Sequence, residues 1–181
     1  MRVLSVERYK GGHRLTFEAG DRARRLLGAH HATLRALSQS LSCPPTDVAG
    51  AVERLRGELK ASRDSERALR DSLAERMAEA LWREVGGAPI VLALDDGDVE
   101  LLRALGRSLA ARPGALAFLA ARSPAGLDVV VTRGEGSTFD CGAFVKRAAQ
   151  AGGGRGGGRP THAEGRLGPT ADWESLVAAR G

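Results

Sequence analysis

Residues 89–132 read PIVLALDDGDVELLRALGRSLAARPGALAFLAARSPAGLDVVVT, and the changes of period within them decide the fold. Pro89–Leu94 is a continuous apolar run of strand length, closed by the turn residues Asp95-Asp96-Gly97. Val99–Ala111 then shows the helical period and stops at Arg112-Pro113-Gly114. Ala115–Ala121 and Leu127–Thr132 are two more buried strands, separated by a turn at Ser123-Pro124. Asp140 is placed to cap a helix from Cys141 to about Ala151. A last helix spans roughly Thr170–Ala179. Three or four strands with three helices bury their own core, so residues 86–181 are expected to fold as an α/β domain.

Working outward toward the N-terminus, residues 45–85 carry Val48, Val52, Leu55 and Leu59, then Leu69, Leu73, Met77 and Leu81. The early spacings are those of a heptad seam, interrupted at Ser62 and Glu66. At 1.5 Å per residue such a helix reaches about 60 Å. It is too long to be stable unpacked. Before it, Leu27, Leu34, Leu37 and Leu41 mark another helix from Asp21, which ends at Ser42-Cys43-Pro44-Pro45. The short connection predicts an antiparallel helical hairpin, a coiled coil acting as spacer or dimerisation arm. At the front, residues 2–8 and 13–19 alternate in the strand period around Lys10-Gly11-Gly12, the signature of a β-hairpin. The domain reading is therefore 1–20, 21–85 and 86–181.

Of 181 residues, 43% are hydrophobic and 27% charged, which excludes a disordered chain. Two cysteines, Cys43 and Cys141, build neither a disulfide framework nor a four-cysteine zinc site. There is no apolar run of membrane-spanning length, and the first residues are too polar for a signal peptide, so a cytoplasmic location and no membrane partner are expected. The net charge of +5 is uneven: residues 1–41 carry 8 basic and 3 acidic side chains, whereas 86–181 carry 11 and 10. Within 144–167, Lys146, Arg147, Arg155, Arg159 and Arg166 face only Glu164. Local clusters of this kind matter more for a polyanionic partner than bulk charge.

Gly152–Pro160, GGGRGGGRP, holds six glycines in seven residues before Arg159-Pro160. Read as a loop, it lets several N–H groups converge into an anion-binding nest. Arg155 and Arg159 add forked donors suited to phosphate. The competing reading is a plain flexible linker. No Lys-Ser/Thr follows the glycines, so this is not a P-loop. The candidate nucleic-acid-binding residues are Gly156, Gly157, Gly158, Arg159, Pro160, Arg155, Lys146, Arg147 and His162. No catalytic set is legible. Gly134-Glu135-Gly136-Ser137 reads as a turn, Cys141 lacks a histidine partner, and His30-His31 lie about 100° apart on a helix, wrong for shared chelation. Asp95, Asp96 and Asp98 lack histidine companions and suit a helix N-terminus.

Lys146–Leu167, KRAAQAGGGRGGGRPTHAEGRL, resembles the signature of the DHH-associated domain, through Gly156-Gly157-Gly158-Arg159-Pro160 and Ala163-Glu164-Gly165. That domain ends alanyl-tRNA synthetases and the longer alanyl-tRNA editing proteins. Glu7–Ala23, ERYKGGHRLTFEAGDRA, resembles the last strands of the family's editing domain, with the helical hairpin in the linker position. The resemblance implies a small mixed-sheet domain preceded by a helical hairpin and a β-hairpin. It further implies a tRNA-binding and dimerising module acting on alanine tRNA, with a homodimer through the long helix. The family's zinc is held by His-x-x-x-His and Cys-x-x-x-His, spacings absent from this sequence. No cofactor is therefore expected in this chain, zinc belonging to an editing domain elsewhere. Two other readings stand beside it: a fragment of a zinc-dependent aminoacyl-tRNA deacylase, and a coiled-coil dimerisation module without nucleic-acid binding.

Overall fold

The computed structural model describes residues 1–95 and 98–180. Asp96 and Gly97, part of the expected turn and acidic cluster, lie outside the described residues. The chain divides into two compact units, Met1–Arg63 and the residues from Asp64 onward.

In the first unit, β1 (Arg2–Tyr9) and β2 (Gly12–Glu18) form an antiparallel hairpin, with Val3 opposite Phe17 and Val6 opposite Leu15. Lys10 and Gly11 turn the chain with positive φ of 44° and 82°, the conformation a two-residue hairpin loop requires. Helix α1 (Gly20–Ser40) follows, then a single 3-10 turn at Pro45–Asp47 and the start of α2 (Val48–Val85). Asp47 binds Arg54 at 2.9 Å. Ala23 and Ala51 are the residues buried in this unit, while Leu27, Leu34, Leu37, Val52, Leu55 and Leu59 are all exposed. The apolar stripe of α1 at Leu27, Leu34 and Leu37 and the heptad seam of α2 at Val52, Leu55 and Leu59 are thus open to solvent.

The second unit is a sheet between two helical layers. Strand order is β3-β4-β5-β7-β6, comprising β3 (Ile90–Leu94), β4 (Leu116–Ser123), β5 (Gly126–Arg133), β6 (Arg155–Arg159) and β7 (His162–Leu167). β3 and β4 are parallel, joined through α3 (Val99–Ala110); the other pairs are antiparallel. Successive strand residues point to opposite faces, so β4 serves both layers. Ala117, Leu119 and Ala121 join Leu102, Leu105 and Leu109 of α3 on one side. Phe118 and Ala120 join α4 (Cys141–Ala151) and α5 (Trp173–Ala178) on the other. Asp98, Asp140 and Asp172 cap the three helices, accepting from the backbone N–H of Glu100, Ala143 and Ser175.

The boundary between the two compact units falls inside α2, whose Ala74 and Ala78 are fully buried in the α3-side core. The buried side of α2 is lined by these alanines with Met77 and Leu81 partly buried, and Leu69, expected in the seam, is 70% exposed. One feature departs from the sequence reading: Arg155–Arg159 of the glycine tract is a strand and not a loop.

Candidate nucleic-acid interface

β6 is RGGGR, a sequence with almost no intrinsic strand preference. Tertiary packing imposes the strand. A Cβ on Gly156 would sit 2.7 Å from Val145 Cγ1 on α4, and one on Gly158 would sit 2.5 Å from both Ala163 Cα and His162 O. Gly142 of α4 is equally tight, its Cβ position lying 2.6 Å from Gly158 O. The helix can lie this close because the strand has no side chains beneath it. The expected nest of converging N–H groups is corrected at Gly156–Gly158, which are extended, with Gly156 and Gly158 serving close helix–strand approach, while Gly152–Gly154 form the turn before the strand.

The same alternation creates the candidate site. Ala163 and Leu167 of β7 point into the α4-side core, so His162, Glu164 and Arg166 point to the opposite face. Residues opposite one another on antiparallel strands share a face. The register pairs Arg155 with Arg166, Gly157 with Glu164 and Arg159 with His162. Arg155, Gly157, Arg159 and His162 therefore share one face of the sheet's edge. A Cβ on Gly157 would meet nothing within 4 Å, so the middle of this surface is open. The Pro160-Thr161 turn is fixed from below. Cys141 N–H donates to Pro160 O at 3.1 Å, and Arg133 donates from Nε to Pro160 O and from its backbone N–H to Thr161 O.

Carboxylates on this face are already matched. Arg103 of α3 grips Glu164 through Nε at 2.8 Å and Nη2 at 2.7 Å, and His162 Nε2 lies 3.0 Å from Glu164 Oε1. Burial pushes the Glu164 carboxyl up, but the Arg103 fork and His162 outweigh it and hold it below its ordinary value. Arg103 is correspondingly raised by its bond to Glu164. Arg166 Nε donates to the buried Asp128 at 2.6 Å. A cavity of about 240 Å³ opens among Val99, Arg103, Asp128, Glu164 and Arg166. Among the described residues, neither Arg155 nor Arg159 has a carboxylate within ion-pair distance. The face thus presents two free guanidiniums beside a neutralised network.

The depressed Glu164 pKa predicts a pH effect. Its contribution to stability is fully present above the unfolded value of about 4.3 and is lost as pH falls through the lower folded value. Urea midpoints of the wild type and Glu164→Gln, measured from pH 6 to pH 3, are expected to converge on acidification. A gap that stays constant over that range would contradict the assignment.

Of the residues named from sequence, the structure brings together Arg155, Gly157, Arg159 and His162. Gly156 and Gly158 belong to the same strand but face α4 and β7, and Pro160 forms the hairpin turn. Lys146 and Arg147 lie on exposed positions of α4, whose buried side covers the other sheet face, so they are not part of this surface. Arg147 donates to Arg180 O at 3.5 Å. Sequence reasoning missed Arg103, 61 positions from Glu164, for which there was no local signal. It also left out Glu164 and Arg166, although their alternation with His162 marks one strand face. Cys141 is buried and free, and burial pushes its thiol up to about 11, against any nucleophilic role at neutral pH. Among the described residues no three His, Cys, Asp or Glu side chains cluster to hold a metal, so the residues present do not fit a zinc site. No described helix is long and apolar enough to cross a membrane.

What these features define is a helix-covered mixed sheet with a glycine-rich, arginine-bearing edge. No family model matches the chain. In sequence it is similar to part of alanine–tRNA ligases. The chloroplastic/mitochondrial alanine–tRNA ligase of Micromonas pusilla is 32% identical over 166 residues, covering 85% of this chain and 18% of that protein. The alanine–tRNA ligase of Geobacillus thermodenitrificans is 30% identical over 166 residues, with the same coverage of each. That of Archaeoglobus fulgidus is 27% identical over 181 residues, 98% of this chain and 20% of that protein. The chain therefore spans about a fifth of the length of the curated relatives it matches. Among solved structures, the C-Ala domain from Aquifex aeolicus alanyl-tRNA synthetase aligns with a TM-score of 0.45 and 20% identity, over 50% of this chain and 86% of that domain.

Proposed function

We propose that this chain is a tRNA-binding module of the kind carried by alanine–tRNA ligases and alanyl-tRNA editing proteins. In this reading it holds alanine tRNA so that a separate domain can deacylate mischarged molecules. One observation carries the proposal: Arg155 and Arg159 lie on a single open sheet face, over the bare Gly157, without a carboxylate partner among the described residues. Guanidiniums in that state bind phosphate oxygens in a forked geometry, and the Gly157 gap lets a sugar–phosphate backbone approach the sheet. That the similar proteins are alanine–tRNA ligases supports the choice of ligand class. The residues proposed to contact RNA are Arg155, Gly157, Arg159 and His162, with Gly156, Gly158 and Pro160 shaping the strand and turn. The assignment of residues 86–181 to a DHH-associated-type domain, and of 1–20 to the tail of an editing domain, belongs to the same proposal.

Because phosphate contacts dominate such binding, Arg155→Ala/Arg159→Ala is expected to weaken tRNA binding at least tenfold and to flatten its salt dependence by about 1.5 log units per log unit of salt. Fluorescence anisotropy with labelled alanine tRNA measures both, with circular dichroism as the control for folding. Undiminished affinity in a folded double variant would contradict the site. A homodimer through α2 is the second reading, favoured by the exposed Leu55, Leu59, Leu69 and Leu73. Sedimentation equilibrium decides it, a monomer at all concentrations being the contrary result.

A further inference from the structure

We infer that the tip of the β1–β2 hairpin is a second RNA-binding surface, one that grips the phosphate backbone and stacks an unpaired base on Tyr9. The inference shares with the proposed function only the premise that the chain binds RNA. It rests on different residues, in the other compact unit.

Four observations converge on the tip. First, basic charge is concentrated there, with Glu7, opposite Arg14 in register, the one carboxylate beside it. Lys10 and Arg14, at the Tyr9 ring, and Arg8, on the opposite face of the hairpin, fall within seven residues, and among the described residues none has a carboxylate within ion-pair distance. Arg22 and Arg24, a few residues further on, are both paired, to Glu18 and Asp21. Second, the aromatic ring is presented with cations already on it. The Arg14 guanidinium carbon lies 4.0 Å from the Tyr9 ring centroid and Lys10 Nζ lies 5.3 Å from it. Third, the register places Tyr9 opposite Gly12, which has no side chain to cover the ring, and Tyr9 is 45% exposed. An arginine-backed, half-exposed tyrosine with a bare cross-strand neighbour is a stacking platform of the type single-stranded RNA uses.

The fourth observation concerns Lys10. Its φ of 44° lies in the left-handed region, where a two-residue hairpin turn favours asparagine, aspartate or glycine. A lysine at that position costs local conformational energy and places its charge at the apex of the turn. Strained backbone of this kind concentrates at functional positions. Turn chemistry alone accounts for Gly11 but not for Lys10.

Tyr9 is the sole tyrosine of the chain, which makes the test site-specific. The full chain labelled with 3-fluorotyrosine gives one fluorine resonance, to be followed during titration with an unmodified alanine tRNA transcript. The resonance is expected to shift and to saturate together with the anisotropy signal. Tyr9→Ala is expected to weaken binding about tenfold. Arg8→Ala/Lys10→Ala/Arg14→Ala is expected to lower the log–log salt slope by about two. The same fluorine shift in Arg155→Ala/Arg159→Ala would support the inference and separate it from the sheet-edge site, whose failure would leave the hairpin result standing. A resonance that stays put at saturating tRNA, or an unchanged salt slope in the triple variant, would overturn it. So would a shift produced by phosphatidylserine–phosphatidylcholine vesicles and not by tRNA, since the surface would then serve an anionic membrane.

Discussion

Gly158→Ala is expected to cost about 3 kcal/mol or more, or to prevent the second unit from folding, while Gly157→Ala, one residue away, changes stability by less than about 1 kcal/mol. The difference follows from what each added methyl would meet. At Gly158 it lies 2.5 Å from Ala163 Cα and His162 O, both backbone atoms that no side-chain rotation moves. Relief would require separating β6 from β7, and β6 has no second neighbour in the sheet to hold it. At Gly157 the methyl projects into open space, and loss of glycine's unfolded-state freedom offsets part of any cost. Urea unfolding of both variants tests the pair. Equal stabilities would mean that β6 does not lie flat against α4 and β7.

Phe118→Ala is expected to destabilise by about 3–5 kcal/mol, the range for truncating a fully buried phenylalanine. Phe118 has no exposed surface and sits at the centre of an aromatic cluster. Its ring meets Phe139 edge-on at 5.3 Å and Phe144 at 5.0 Å, and Phe144 in turn meets Trp173 at 6.1 Å. Removing it deletes both contacts and leaves a cavity between the sheet and two helices. The cavity term adds to the lost transfer energy, because the surrounding sheet and helices relax only partly into the gap. A loss below about 1.5 kcal/mol in thermal or urea denaturation would show that α4 and α5 move freely on the sheet.

The two results bear on what a single sequence discloses. The strands at 90–94, 116–123 and 126–133 and the helices between them were legible, since continuous apolar runs and a 3.6-residue period report directly on burial. The hairpin at the N-terminus was legible for the same reason, with Lys10-Gly11-Gly12 marking its turn. The glycine tract was not. Glycine carries no hydrophobic signal, and RGGGR is held as a strand by its pairing with β7 and by the close approach of α4 and β7 at Gly156 and Gly158. The alternation of Arg155 and Arg159 around Gly157, continued by His162, was the available cue to a shared face. Long-range partners such as Arg103 for Glu164 left no local trace. The leucine seam of α2, exposed at Leu55, Leu59, Leu69 and Leu73, does not by itself say which residues the second unit buries. The spacing of leucines says which residues could share a stripe, whereas burial fell on Ala74 and Ala78, whose small side chains carry little weight in a hydrophobic pattern.

The central claim is that a phosphate-binding surface selective for alanine tRNA lies on this chain. Its most direct test is anisotropy titration of labelled alanine tRNA and of an unrelated tRNA of equal length, at several salt concentrations. The account predicts tighter binding of the alanine tRNA, with affinity for both falling steeply as salt rises. Equal affinity for the two would reduce the surface to a general polyanion site, and no binding at low salt would contradict the account outright.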